Sequence, residues 1–217
     1  MAKFLDYNGF FNQMLRKLAD CFCLSLMWTL CCIPVITAGA ATTALYYTAT
    51  KAIRYDRGGI WREYWSAFRS NFKQATLVWL LMLGISALIF FSIRSAWVLY
   101  GAGKLPLAAV VLLMVLASHV AMWVCYLFPH LARFQTTVPQ LLKNCQLMAL
   151  MHFFWSLALL ALLAVAVLGL LFAPFSLLYV PGLTAWASGY ILERIFRKYM
   201  APEDLAAEEE KIRDAAP

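Results

Sequence analysis

The sequence predicts an all-α fold, a polytopic bundle of about five membrane-crossing helices accompanied by interfacial amphipathic helices. Two observations carry this. Of 217 residues, 64% are hydrophobic and only 13% are charged, about half the charge of an ordinary soluble domain. In addition, no acidic residue occurs between Glu63 and Glu193. A water-soluble domain cannot cover its surface with so few charges, so the outer face is expected to meet lipid. A crossing helix needs about 20 mostly apolar residues, and four or five of them use most of the length. The chain therefore reads as one transmembrane helical domain over 1–200, with spans near 21–49, 75–93, 106–128, 147–172 and 174–192. A soluble charged tail follows over 201–217. No room is left for a separate soluble catalytic domain.

The first element is amphipathic. Phe4, Leu5, Phe11, Met14, Leu15 and Leu18 recur at helical spacing, while Lys3, Asp6, Asn12, Gln13, Arg16, Lys17 and Asp20 occupy the other side. Such a helix lies in the interface plane. A cleaved signal peptide is the weaker reading, because the basic region is long and carries Asp6 and Asp20.

Residues 21–50 carry no charge. As one helix they would measure about 45 Å, longer than the hydrocarbon core. Pro34 interrupts the run, and proline removes a backbone donor, so a kink or break is expected near residues 30–34. Either one tilted, kinked helix crosses here or a broken pair dips in and returns. Pro34, Thr37, Gly39, Thr42 and Tyr46 are the candidate kink or cavity residues. Gly39 with its neighbouring alanines lets another helix come close, and the threonines can satisfy freed backbone groups.

Residues 51–74 form the most charged loop, with a turn signal at Asp56-Arg57-Gly58-Gly59. Trp61, Tyr64, Trp65, Phe68 and Phe72 then step at helical spacing. This predicts a second interfacial helix, aromatic on one side, with Arg62, Arg69 and Lys73 as a lipid-facing basic interface. The span from Ala75 to Ile93 is closed by Arg94, Trp97 and Tyr100. A further span starts at Pro106 and is expected to end at Pro129, and an amphipathic connector follows over 133–145. The uncharged stretch from Asn144 to Leu192 holds two more spans, turning at Ala173-Pro174. Pro181 with Gly182 then falls inside the last span and is expected to kink it, beside Thr184. The soluble tail is expected from Glu193 onward, with a helix start at Pro202-Glu203-Asp204 and a solvated run at Glu208-Glu209-Glu210.

The net charge of +7 sits mostly in the flanks of apolar runs. That pattern suits anionic lipid headgroups and the positive-inside rule, and argues against nucleic acid as a partner. Lys and Arg counts place the 51–74 loop and the C-terminus in the cytoplasm whether residues 21–50 cross once or return. The side of the N-terminus depends on that choice.

Chemistry is sparse. Six cysteines, at 21, 23, 31, 32, 125 and 145, have neither zinc-site nor disulfide-framework spacing and read as small packed residues. No phosphate-binding loop of the GxxxxGK[ST] form is present. No acidic residue falls inside a predicted span, which weighs against ion-coupled transport. His119 and His152 are the polar residues expected at depth, but two histidines without further ligands make a poor metal site. No catalytic residue, metal or cofactor is predicted, and the chain reads as a non-enzyme.

Three blocks resemble the YesL-like family. The first is Gly9-Phe10-Phe11-Asn12, then Ile33-Pro34-Val35-Ile36-Thr37-Ala38-Gly39 and Ala41-Thr42-Thr43-Ala44-Leu45-Tyr46-Tyr47. The second is Phe68-Arg69-Ser70-Asn71-Phe72-Lys73-Gln74-Ala75. The third runs from Phe128-Pro129-His130-Leu131-Ala132-Arg133-Phe134 through Leu141-Leu142-Lys143-Asn144. The resemblance implies a bacterial integral membrane protein of the cytoplasmic membrane, of unknown biochemical activity, often encoded near genes for carbohydrate uptake. It implies no catalytic residues. The expectation is a non-enzymatic accessory or regulatory component of carbohydrate uptake, partnered by the bilayer and by a sugar transporter, a sensor subunit or itself. The alternative is a permease moving a small solute such as a sugar or oligosaccharide. A hydrated cavity lined by Thr37, Thr42, Tyr46, His119 or Thr184 would favour the permease, and a closed packing seam would favour the accessory.

Overall fold

The computed structural model describes residues 7–54 and 59–200, with 203, 205 and 206. Outside the described residues lie the predicted turn at Asp56-Arg57-Gly58 and the first part of the N-terminal amphipathic face (Lys3, Phe4, Leu5, Asp6). So do Pro202, Asp204 and the Glu208-Glu209-Glu210 run, and the side chains of Phe11, Asn12 and Gln13. The described residues form helices joined by short links, with no strand among them. Seven α-helices follow one another: α1 Tyr7–Cys32, α2 Ala38–Thr48, α3 Ile60–Gly101, α4 Leu107–Arg133, α5 Val138–Met151, α6 Phe153–Phe172 and α7 Val180–Phe196. Three of them, α3, α4 and α6, are long and apolar enough to cross a bilayer.

The uncharged segment over 21–50 is a broken pair. α1 stops at Cys32, just before Pro34, and a single 3-10 turn over Val35–Thr37 leads into α2. The Trp28 indole N–H donates to the Thr42 hydroxyl at 3.2 Å. Those two positions lie at equal distances from Val35 along the chain, so α1 and α2 run antiparallel as a helical hairpin. Its tip is apolar and uncovered: Ile33 is 74% exposed, and Val35 and Ile36 are exposed beside it. The tip is tied down at one point, where the Trp79 indole donates to the Val35 carbonyl at 2.7 Å. Trp79 lies near the middle of α3, so the hairpin reaches only half of that helix.

α3 is 42 residues long, about 63 Å at the usual rise and twice the thickness of a hydrocarbon core. The expected interfacial helix over 60–74 and the span over 75–93 are thus one continuous helix, because no proline or glycine separates them. Its first half packs against α2 and its second half against α4. Gly39 makes the close approach of α2 possible. A Cβ there would stand 2.5 Å from the Trp79 Cβ and 2.6 Å from the Ala75 carbonyl oxygen.

Two core clusters result. One joins Tyr46, Val78, Met82, Tyr126, Leu141, Leu159 and Phe196 from α2 through α7. The other joins Cys21, Leu24, Leu45, Tyr64 and Ala185 around the hairpin.

Three boundaries differ from the sequence expectation. Pro129 does not end α4. It is buried inside that helix, which runs on to Arg133, since packed neighbours tolerate the lost backbone bond. The fourth span does not begin at 147, because the backbone breaks at His152 and separates α5 from α6. Pro181 with Gly182 does not kink a span. Pro181 stands in the first turn of α7, where its missing N–H costs no hydrogen bond. The Gly182 N–H donates to the Ser25 hydroxyl at 2.8 Å, and the glycine lies directly on the Cys21 carbonyl.

Candidate functional site

One fully buried carboxylate is a group the sequence assigned to the tail. Glu193 belongs to α7, and its side chain has no exposure. Its Oε2 lies 3.3 Å from an Arg133 guanidinium nitrogen at the end of α4. Its Oε1 accepts the Tyr46 hydroxyl from α2 at 3.2 Å. Three helices therefore meet on one carboxylate. An aromatic wall closes the place: His130 lies 4.7 Å from Phe134 and 6.0 Å from Phe196, ring centre to ring centre. Charges taken out of water need such pairing, or the group would be strongly disfavoured there.

A signal for Glu193 is present in the sequence. Ala185, Gly189, Leu192 and Phe196 form the buried stripe of α7, and Glu193 stands four residues after Gly189 and three before Phe196. It is on the apolar stripe, next to the first charged residues of the tail, and was read with them.

The polar residues expected to line a cavity bond within the protein. Thr37 Oγ1 reaches the Cys31 and Pro34 carbonyls. Thr42 donates to the Ala38 carbonyl at 2.8 Å, and Thr184 lies 2.8 Å from the Val180 carbonyl and 2.9 Å from that of Pro181. His119 pairs with Gln146 at 2.8 Å. Pro34 is exposed at the hairpin tip and Gly39 is buried under Trp79. Of the whole set, only Tyr46 joins the ion-pair site. His152 is partly exposed and bonds to the Tyr199 hydroxyl at 3.0 Å. Desolvation, with Lys198 nearby, holds its ring below the usual histidine pKa. The buried histidine is His130, which the sequence reading passed over. Among the described residues no group of three or more His, Cys, Asp or Glu side chains is placed to hold a metal ion.

Arg62, Arg69 and Lys73 are exposed on α3. Their spacing of seven and four residues keeps them within about 40° of one another around the helix. Trp61, Trp65 and Phe72 adjoin this stripe on one side, and the Arg69 guanidinium lies 5.9 Å from the Trp65 ring centre. Aromatic and basic residues side by side are the pattern of a headgroup-level anchor. Lys51 bonds to Glu63 at 2.8 Å and to the Tyr47 hydroxyl at 3.2 Å. Burial alone would lower the Lys51 ammonium, but those two bonds outweigh it and hold its pKa above the usual lysine value.

On the other side of the stripe a groove of about 850 Å³ opens between the first half of α3 and the link from α4 to α5. Ser66, Ser70, Asn71 and Gln74 come from α3, and Arg133 through Thr137 form the opposite wall. The Gln74 side-chain amide donates to the Thr136 carbonyl at 2.6 Å. The link holds its shape because Thr137 and Gln140 form a capping box at the start of α5.

Residues 21–93 match a family described as a protein of unknown function, DUF624. The matched stretch is the second half of α1, the hairpin tip, α2 and α3 as far as Ile93, so it contains Tyr46 and the basic stripe but neither Arg133 nor Glu193. No curated protein and no solved structure matches the chain.

Proposed function

We propose that this chain is a non-enzymatic accessory or regulatory component of carbohydrate uptake in a bacterial cytoplasmic membrane. The observation that carries the reading is the internal use of the polar residues. The hydroxyls of Thr37, Thr42 and Thr184 are spent on carbonyls of their own segment, and Tyr46 and Arg133 are spent on Glu193. A solute pathway needs polar groups presented to the solute, whereas a closed seam suits a protein that acts through helix contacts. The exposed apolar faces of α3, α4 and α6 offer surface for lipid and for a partner's helices. The carbohydrate context rests on the YesL-like resemblance alone. Positive-inside reasoning puts Arg62, Arg69 and Lys73 in the cytoplasm and the turn over 102–106, whose one charge is Lys104, outside.

Affinity purification from native membranes in mild detergent tests this. A transporter or sensor subunit recovered in stoichiometric amount supports it, and recovery of the protein alone counts against it. A permease remains the second reading, favoured by the polar groove. Liposomes holding the purified protein and taking up a neutral sugar would support that reading, and absence of uptake across a sugar panel would remove it.

A further inference from the structure

We propose that the groove between α3 and the α4–α5 link is a binding site for an uncharged polyhydroxyl group, either a free saccharide or the sugar headgroup of a lipid. Its volume, about 850 Å³, lies in the range of small-molecule sites. The lining is what such a ligand requires. Gln135 supplies an amide and Thr136 a hydroxyl, while Ser70, Asn71 and Gln74 already donate to the Ala67 and Thr136 carbonyls and offer their side-chain oxygens as acceptors. Tyr47 and Phe134 add ring surface for the apolar faces of a sugar. No carboxylate lies in the wall, and Arg133 is its one charged residue.

Arg133 decides between a neutral and an anionic occupant. Its guanidinium holds the Glu193 carboxylate, which has no exposure. An anion strong enough to draw Arg133 outward would strand that carboxylate in the core, and breaking a buried pair is strongly unfavourable. The Glu193 carboxylate neutralises the wall's one cation, so the groove offers an anion little net attraction and recognition falls to the neutral groups. A peptide is a poor occupant on the same grounds. One wall is helical and the other is a short link whose Thr136 carbonyl is already taken by Gln74, which leaves little backbone to pair an extended strand, and the lining is too polar for an amphipathic helix.

The arrangement also connects the groove to the core. Tyr47 and Arg133 face it, and Tyr46 and Arg133 hold Glu193. Occupancy is felt by α2, α4 and α7 together.

The test is titration of the purified full chain with no partner present, which separates it from the accessory reading tested by co-purification. One arm uses neutral di- and trisaccharides, including maltose, cellobiose and galactobiose, in detergent. A second uses diglucosyl diacylglycerol in nanodiscs, and a third uses maltose phosphate and phosphatidylglycerol. Saturable binding is expected in the first or second arm, and which of the two binds identifies the source of the sugar. Ser70→Trp, which fills the groove, is expected to weaken binding at least tenfold, and Gln135→Ala severalfold, with the melting temperature of each as the folding check. If Ser70→Trp does not fold, Gln135→Ala alone decides. Three results would overturn the proposal: no saturation in either neutral arm, tighter binding of the anionic probes, or neutral binding unchanged by the variants.

Discussion

Arg133, in the last turn of α4, and Glu193, near the end of α7, form an ion pair at 3.3 Å around a carboxylate with no exposure. Tyr46 adds a hydrogen bond from α2, so the pair fixes the mutual placement of three helices. Removing Arg133 leaves the Glu193 carboxylate buried without that cation, which costs about 3–5 kcal/mol. Arg133→Met is expected to lower stability by that order in detergent, read as thermal unfolding, and Glu193→Leu by less, because Arg133 is partly exposed at the groove. The double variant is expected to recover most of the loss, because an apolar pair of similar size removes both desolvation costs. A double variant as unstable as the sum of the singles would show no coupling between the two residues and would deny the pair.

Gly39 and Gly84 give opposite expectations for the same substitution. A Cβ at Gly39 meets the Trp79 Cβ at 2.5 Å and the Ala75 carbonyl at 2.6 Å, whereas one at Gly84 meets nothing within 4 Å. Gly39→Ala is expected to push α2 off α3 at a cost of about 1–3 kcal/mol. Gly84→Ala is expected to be neutral or to stabilise by up to about 1 kcal/mol through helix propensity. Unfolding of both variants under one condition compares them directly, and a Gly39→Ala protein as stable as wild type would deny the close packing.

The amount of this that the sequence makes legible follows from which forces act locally. Composition and charge placement show the all-helical, apolar character, and Pro34 shows the break between α1 and α2, because both follow from the residues themselves. Whether the broken segment crosses or returns follows from contacts that spacing does not display, the Trp28 indole on the Thr42 hydroxyl across the hairpin and the Trp79 indole on the Val35 carbonyl. Pro129 and Pro181 are misplaced for a related reason. A proline interrupts a helix only where neighbours fail to absorb the lost bond, and here one is buried inside α4 and the other sits in the first turn of α7. Glu193 is the largest miss. Its charge reads as the start of a solvated tail, and Arg133 and Tyr46, both far away in sequence, make its burial tolerable. The polar groove is hidden likewise, since Ser70 and Gln135 look like ordinary surface residues until α3 and the α4–α5 link face each other.

His152 supplies a modest pH dependence. Its ring is held below the ordinary histidine pKa by desolvation and then by Lys198, so the folded state prefers the neutral form. The unfolded chain takes up its proton first, near pH 6.5. Stability is therefore full above that pH and declines as pH falls through it towards the lower folded value. Lys198→Ala is expected to raise the ring pKa towards its ordinary value and so to shrink the loss of stability at low pH, followed by NMR titration of the imidazole. An unchanged His152 titration in Lys198→Ala would remove Lys198 as a cause.

Topology is the last expectation, and it bears on whether the groove faces the cytoplasm. The groove and the stripe of Arg62, Arg69 and Lys73 share the first half of α3, while the turn after Gly101 lies at the opposite end of the same helix. Gly103 holds that turn with a positive φ of 70°, a conformation glycine adopts without strain. Positive-inside reasoning sends the stripe inward and the turn outward. In a background with the six cysteines replaced, Lys104→Cys is expected to react with a membrane-impermeant maleimide added to intact cells. Ser66→Cys, on the groove wall, is expected to react only after the membrane is opened. The reverse pattern would turn the molecule over and place the groove on the outer face, where a saccharide would be met before uptake rather than after it.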